Sequence, residues 1–157
     1  MTYLVTQTEY LSLGGVPLST PAWELENLQE LWSGPPTRGV DIVMPGADGV
    51  RSYPRKVDAW RLTLNVAIWG DVSWDGTANA DPRAGLWAAI QHLRANAFDP
   101  VATARGTRLL EMTTADGGTV AATATVERFA IGAVLTPFAV RATADIVVPE
   151  GRWGVEP

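Results

Sequence analysis

The clearest alternation of hydrophobic and polar positions runs from Val57 to Trp69. Trp60, Leu62, Leu64, Val66 and Ile68 fall on one side and interleave with Arg61, Thr63, Asn65, Ala67 and Trp69, the period-two pattern of a strand that covers a core. Shorter versions occur at Tyr3 to Val5, Tyr10 to Leu13 and Val16 to Leu18, and Gly14-Gly15 between the last two predicts a hairpin. Between Thr20 and Trp32 the signal divides. Pro21 with Glu24 and Glu26 in the next turn suits a helix start, whereas Trp23 and Leu25 against Glu24 and Glu26 alternate like a strand, which is the favoured reading.

From Ser33 to Gly49 the chain carries Gly34, Pro35, Pro36, Gly39, Pro45, Gly46 and Gly49, so only Val40 to Met44 is expected to be regular. A loop of that length in a compact domain usually contacts something, and it is read as an interaction loop. Asp81-Pro82 is an N-cap followed by proline at the first helical position. Leu86, Ile90, Leu93 and Ala97, with Trp87 beside them, then continue one amphipathic face, predicting a helix over about 82–96 that stops before Asp99-Pro100. Thr107 to Thr113 and Thr119 to Arg128 flank the turn signal Asp116-Gly117-Gly118. Ile131 to Val148 adds one or two strands interrupted near Pro137, before Pro149 and a polar tail with Trp153. The sum is a single mainly β (α+β) domain over 1–157, a β-sandwich with one flanking α-helix, a long loop at about 33–49 and a short C-terminal tail.

Composition narrows what such a domain does. With 46% hydrophobic and 18% charged residues the chain has a globular balance. It has no cysteine, so disulfides, thiolate zinc sites and cysteine nucleophiles are out of reach. The first cationic side chain is Arg38, and no apolar run approaches the roughly 20 residues of a bilayer span, so neither a secretory signal nor membrane insertion is expected. The net charge is -5 with arginines scattered among carboxylates, which argues against a nucleic-acid-gripping surface. Seven tryptophans point to extensive contact surface.

A search for chemistry returns little. The single histidine, His92, sits away from the Leu86/Ile90/Leu93 face, where a flanking or exposed surface position is the plain reading, and no serine lies in a nucleophile elbow. Asp71, Asp75, Gly76, Asn79 and Asp81 resemble a calcium loop. Its closing glutamate is missing, however, since Pro82 and Leu86 fall at that spacing from Asp71 and Asp75. Turn and cap chemistry accounts for the same residues. Carboxylate pairs such as Glu24/Glu26 or Asp145/Glu150 carry no specificity, and no phosphate loop or dinucleotide fingerprint is present. The expectation is a protein that is not an enzyme and binds no cofactor or metal. Trp60 and Trp87 are assigned to the core; Trp23, Trp32, Trp69, Trp74 and Trp153 lie in or near loops and ends, where packing and subunit contact compete with stacking on sugars.

One stretch carries a resemblance. Val43-Met44-Pro45-Gly46-Ala47-Asp48-Gly49, then Arg51, Tyr53-Pro54-Arg55 and a long alternating strand ending in Trp69-Gly70, is similar to the N-terminal domain of siphophage distal tail proteins. The downstream order agrees: one helix with Gly85-Leu86, Ile90 and Leu93 in its core pattern, a hairpin around Asp116-Gly117, and a last strand ending in Pro149-Glu150-Gly151-Arg152-Trp153. The resemblance implies a tail-tube-like β-sandwich whose six copies close into a ring at the tail tip of a virion assembled in the host cytoplasm. That ring would join the tail-tube protein to the tail hub or tip protein, with the tape-measure protein a further partner and DNA only passing through the channel. Six chains at -5 put about -30 around such a channel, a charge that lets DNA slide. Larger family members append a galectin-like domain, for which this chain is too short. Interface positions expected on this reading are Trp32, Pro45, Gly46, Gly49, Arg51, Trp74 and Trp153. The alternatives are a major tail-tube protein, stacking as rings along the tail, and a carbohydrate-binding module.

Overall fold

A computed structural model describes residues 11–27, 37–38, 41–43, 46, 50–52, 56–99, 107–113, 118–151 and 153–155. Within these, β1 (Leu11–Leu13) turns at Gly14-Gly15 into β2 (Val16–Pro17), and β3 (Ser19–Thr20) turns into β4 (Trp23–Leu25). The long strands are β9 (Trp60–Trp69), β10 (Thr107–Thr113), β11 (Thr119–Thr136) and β12 (Ala139–Val148), and α1 (Pro82–Asn96) lies between β9 and β10. All pairings are antiparallel, in the order β2-β1-β10-β11-β12-β9-β4-β3, with β13 (Gly154–Val155) added to the start of β11.

The two ends of that order are one segment of chain. β2 pairs with β1 and β3 pairs with β4, and only Leu18 separates β2 from β3. The Leu18 N–H donates to the Leu11 carbonyl at 2.9 Å, and its carbonyl accepts from the Leu25 N–H at 3.1 Å. The sheet is thereby nearly closed into a barrel, and the two expected layers are facing parts of one curled sheet. Closure removes edges that would otherwise invite pairing with other chains. Asn27 extends the seam past β4: its side-chain amide donates to the Thr63 carbonyl, and its side-chain oxygen accepts from the Asn65 N–H at 2.8 Å, so a side chain stands in for one more strand residue on the edge of β9.

The inward faces make one core, with Leu11, Leu13, Leu18, Trp23, Leu64, Val66, Ile68, Leu110, Ala144 and Ile146 at its centre. The helix is the other wall, contributing Ala89, Ile90, Leu93 and Ala97. Asp81 caps it as the sequence suggested, its Oδ1 accepting from the N–H groups of Arg83 and Ala84. Its first turn approaches the end of β9 more closely than side chains allow. A Cβ on Gly70 would collide with the Pro82 carbonyl and fall 2.5 Å from the Leu86 nitrogen; one on Gly85 would collide with the Gly70 carbonyl and the Asn79 amide. The two glycines of the Trp69-Gly70 and Gly85-Leu86 motifs are what seats the helix on the sheet.

Within the region read as an interaction loop, β6 (Asp41–Val43) pairs with β7 (Val50–Ser52) just beyond it, and β5 (Thr37–Arg38), a strand the sequence pattern did not indicate, pairs with β8 (Lys56–Val57). The registers of these two ladders differ by a single residue, and β8 leads directly towards β9.

Candidate assembly surface

Strand β11 outruns the core. Its register against β12 places Val126, Phe129, Ile131 and Val134 opposite Ile146, Ala144, Ala142 and Val140, all four of which are buried, so the β11 residues share the core-facing side. Along them the cover disappears: Val126 is 2% exposed, Phe129 half-buried, Ile131 39% and Val134 74% exposed. The spacing between these residues is three, two and three, which an unbroken strand could not keep on one face. Register shifts between Val126 and Arg128, and again between Ile131 and Ala133, restore the side. Leu135 and Phe138, at the tip, are also exposed.

Beyond Thr125 the second edge of this strand has no partner among the described residues. β10 covers β11 only from Thr119 to Thr125, and among the described residues β12 alone pairs with Val126–Thr136. Such an edge offers backbone donors and acceptors in strand spacing.

The helix divides two flanks. On one, Arg94 lies over the Phe129 ring at 5.9 Å, and Phe98 stacks on Phe129 at 5.2 Å. Trp87, expected in the core, is 64% exposed. It is turned about 100° from Leu86 and so falls on the Arg94 flank, seven residues away. On the opposite flank His92 stacks on Trp74 at 4.3 Å and lies 5.8 Å from the buried Trp23, and the two indoles are themselves 6.0 Å apart, so the three rings form a triangle. The His92 Nδ1 lies 3.3 Å from the Asn96 amide nitrogen, so the flanking position expected for it holds, with two indoles packed against the ring.

Trp74 belongs to a loop closed on itself. Ser73 N–H donates to the Thr77 carbonyl, Gly76 N–H to Ser73 and Asn79 N–H to Asp71. The Asp75 carboxylate accepts from the Thr77 N–H, and this bond, with those from the Thr77 and Ser73 hydroxyls, holds its pKa below the ordinary value of 3.8. The carboxylates at 75 and 81 are thus engaged by turn and cap N–H groups. Among the described residues no cluster of metal-ligating side chains is present.

Of the expected interface positions, Gly46, Arg51, Trp74 and Trp153 fall among the described residues, in separate elements. Trp74 is partly exposed and packs against His92 and Trp23. Trp153 is half-buried and meets the core residue Trp60 edge-on at 6.0 Å. Gly46 sits in a turn at φ 77° with open space where a side chain would be, and Arg51 lies in β7. Trp32, Pro45 and Gly49 lie outside the described residues. What sequence reasoning missed is the outer half of the β11/β12 hairpin. The available signal was the apolar cluster Ile131, Val134, Leu135 and Phe138 around a Pro137 turn, where polar residues are the rule.

The structure is a curled antiparallel sheet flanked by one helix, with an apolar hairpin beyond its core. Six solved chains match the structure. One is the Dit protein of phage SPP1, described as a paradigm of the hub adsorption apparatus in phages infecting Gram-positive bacteria; the match has a TM-score of 0.51 at 12% identity, over 90% of this chain and 50% of that one. This chain thus spans about half the length of that protein. No family model and no curated protein matches the chain. The resemblance to a distal tail protein read from the sequence is matched in the fold. Among the described residues no helix is long and apolar enough to cross a membrane.

Proposed function

We propose that the chain is a structural protein of a long-tailed phage virion, without catalytic activity, whose six copies close into a ring at the distal end of the tail between the tail tube and the hub proteins. The observation that carries this reading is the likeness in fold to a distal tail protein across 90% of the chain. A sheet sealed by its own chain at Leu18, with an exposed apolar hairpin reaching beyond the core, is consistent with joining neighbours in a defined direction.

Antibodies raised against the purified chain, applied to intact virions of the phage encoding it and viewed by electron microscopy, test the placement. Labelling confined to the tail tip is expected. Labelling along the whole tail would replace the reading with that of the tube protein, and failure to label virions at all would remove the tail reading.

A further inference from the structure

Three aromatic rings from three separate elements meet beside the C-terminal half of α1. The His92 imidazole lies 4.3 Å from the Trp74 indole with their planes 18° apart, and 5.8 Å from the Trp23 indole with their planes 27° apart. Trp23 is buried in β4 and its Nε1 donates to the Pro17 carbonyl at 2.9 Å, so one indole is fixed to the sheet. Trp74 is the outer ring, carried by the loop that the Val72–Ala78 bridge and the Ser73 and Gly76 amides close on itself. Histidine is the side-chain type that changes charge between about pH 5 and 8, and this chain has one histidine and no cysteine.

We propose that the Trp74 loop is a latch tightened by acid: protonation of His92 strengthens its hold on Trp74 and Trp23 and so clamps the loop to α1 and β4. A cation within about 6 Å of an aromatic centroid is drawn to the ring face, tryptophan most strongly, and both indoles lie within that range. One contact opposes the change. The Asn96 amide nitrogen is 3.3 Å from Nδ1 and donates to the His92 carbonyl at 2.9 Å; once Nδ1 carries a proton, that amide must turn away or turn over. Asn96 is exposed, so water takes up the bond it gives up, whereas nothing substitutes for the two indole faces. The surrounding charges leave the sign to the rings. In the loop, the Asp75 carboxylate is tied to Thr77 and held below 3.8, so it stays ionised at these pH values, and Asp71 is exposed. On β4, Glu24 alternates with the inward-facing Trp23, and Glu26 pairs with Arg141. On the helix, Arg94 lies over Phe129 on the other flank, Arg83 is about two and a half turns back, and Asp99 follows about two turns on, past the helix end. Among the described residues no carboxylate forms an ion pair with His92.

The test is a double-mutant cycle on the full chain, read in urea melts at one protein concentration and at about pH 5.5 and about pH 8. It uses the parent, His92→Gln, Trp74→Leu and the double variant, so that titrations elsewhere, the terminal amine included, cancel. The coupling between positions 92 and 74 should be larger at the lower pH by about 2- to 5-fold in the unfolding equilibrium constant, the range of a cation–π contact near the surface. Equal coupling at the two pH values, or weaker coupling in acid, would overturn the inference. Hydrogen exchange of the parent chain alone gives a readout that needs no variant to fold. Protection of the Ser73, Gly76 and Asn79 amides, corrected for the intrinsic exchange rate at each pH, should rise by about the same 2- to 5-fold from the higher pH to the lower. Protection that stays level or falls would overturn the latch. The inference stands apart from the ring reading, which neither outcome touches.

Discussion

Replacing Gly70 by alanine adds one methyl group at the point where the sheet and the helix touch. That carbon has no rotamer to choose, and its neighbours are backbone: the Pro82 carbonyl inside contact distance, the Leu86 nitrogen at 2.5 Å and the Leu86 Cβ at 2.8 Å. Normal packing needs C···C separations of about 3.5 to 4.0 Å, so the first turn of the helix must retreat by on the order of 1 Å. Retreat also loosens the seat of Leu86, Ile90 and Leu93 on the core. Overpacking of this kind costs about 1 to 3 kcal/mol, and rigid backbone on the far side puts the cost near 3 kcal/mol. For a domain of this size each kcal/mol lowers the melting temperature by about 2 to 4 °C, which gives a fall of about 6 to 12 °C by circular dichroism. Gly85→Ala presses on the same junction through the Gly70 carbonyl, so the double variant should lose less than the sum of the two. A melting temperature within about 2 °C of the parent in Gly70→Ala would refute the seating of the helix described above.

Asn27→Ala removes the acceptor of the Asn65 N–H and one donor to the Thr63 carbonyl and should cost about 2 kcal/mol in a urea melt, where an unchanged midpoint would show that water replaces the amide at no cost. Leu64→Ala and Leu93→Ala, both fully buried, should each cost about 2 to 5 kcal/mol; a loss below about 1 kcal/mol at either would place it outside the core. The Asp75 carboxyl, held below 3.8 chiefly by the Thr77 N–H, favours the folded loop when ionised, so that contribution is present above pH 3.8 and disappears as pH falls through the lowered value. The Thr77 amide proton shift should accordingly stay flat from neutral pH down to 3.8 and move only below it, and a titration above 3.8 would contradict the assignment.

The parts of the fold legible in the sequence are those whose signals are local. The alternating face of β9 is buried from Trp60 to Ile68, the helix runs over the expected 82–96 behind the Asp81 cap, and the alternation of Trp23 and Leu25 marks β4 correctly. Strand from Ile131 with an interruption near Pro137 was legible too, whereas the bulges that keep Val126, Phe129, Ile131 and Val134 on one side were not, because they break the period-two pattern. Trp87 was misplaced because an indole beside a hydrophobic helical face looks like part of it, although about 100° of rotation puts it on the flank. The ring cluster of Trp23, His92 and Trp74 joins β4, the helix and a loop, a proximity that no single stretch of sequence encodes. Barrel closure through Leu18 escaped for the same reason, since it depends on where Leu11 and Leu25 meet in space.

The central claim, a ring of six identical chains, is tested most directly by counting them. Native mass spectrometry of the purified full-length chain should give a dominant hexamer, with negative-stain images of the same sample showing separate six-fold rings that do not stack. A protein that remains monomeric across the accessible concentration range would contradict the account, and extended tubes in the images would move the chain from the tip of the tail to its length.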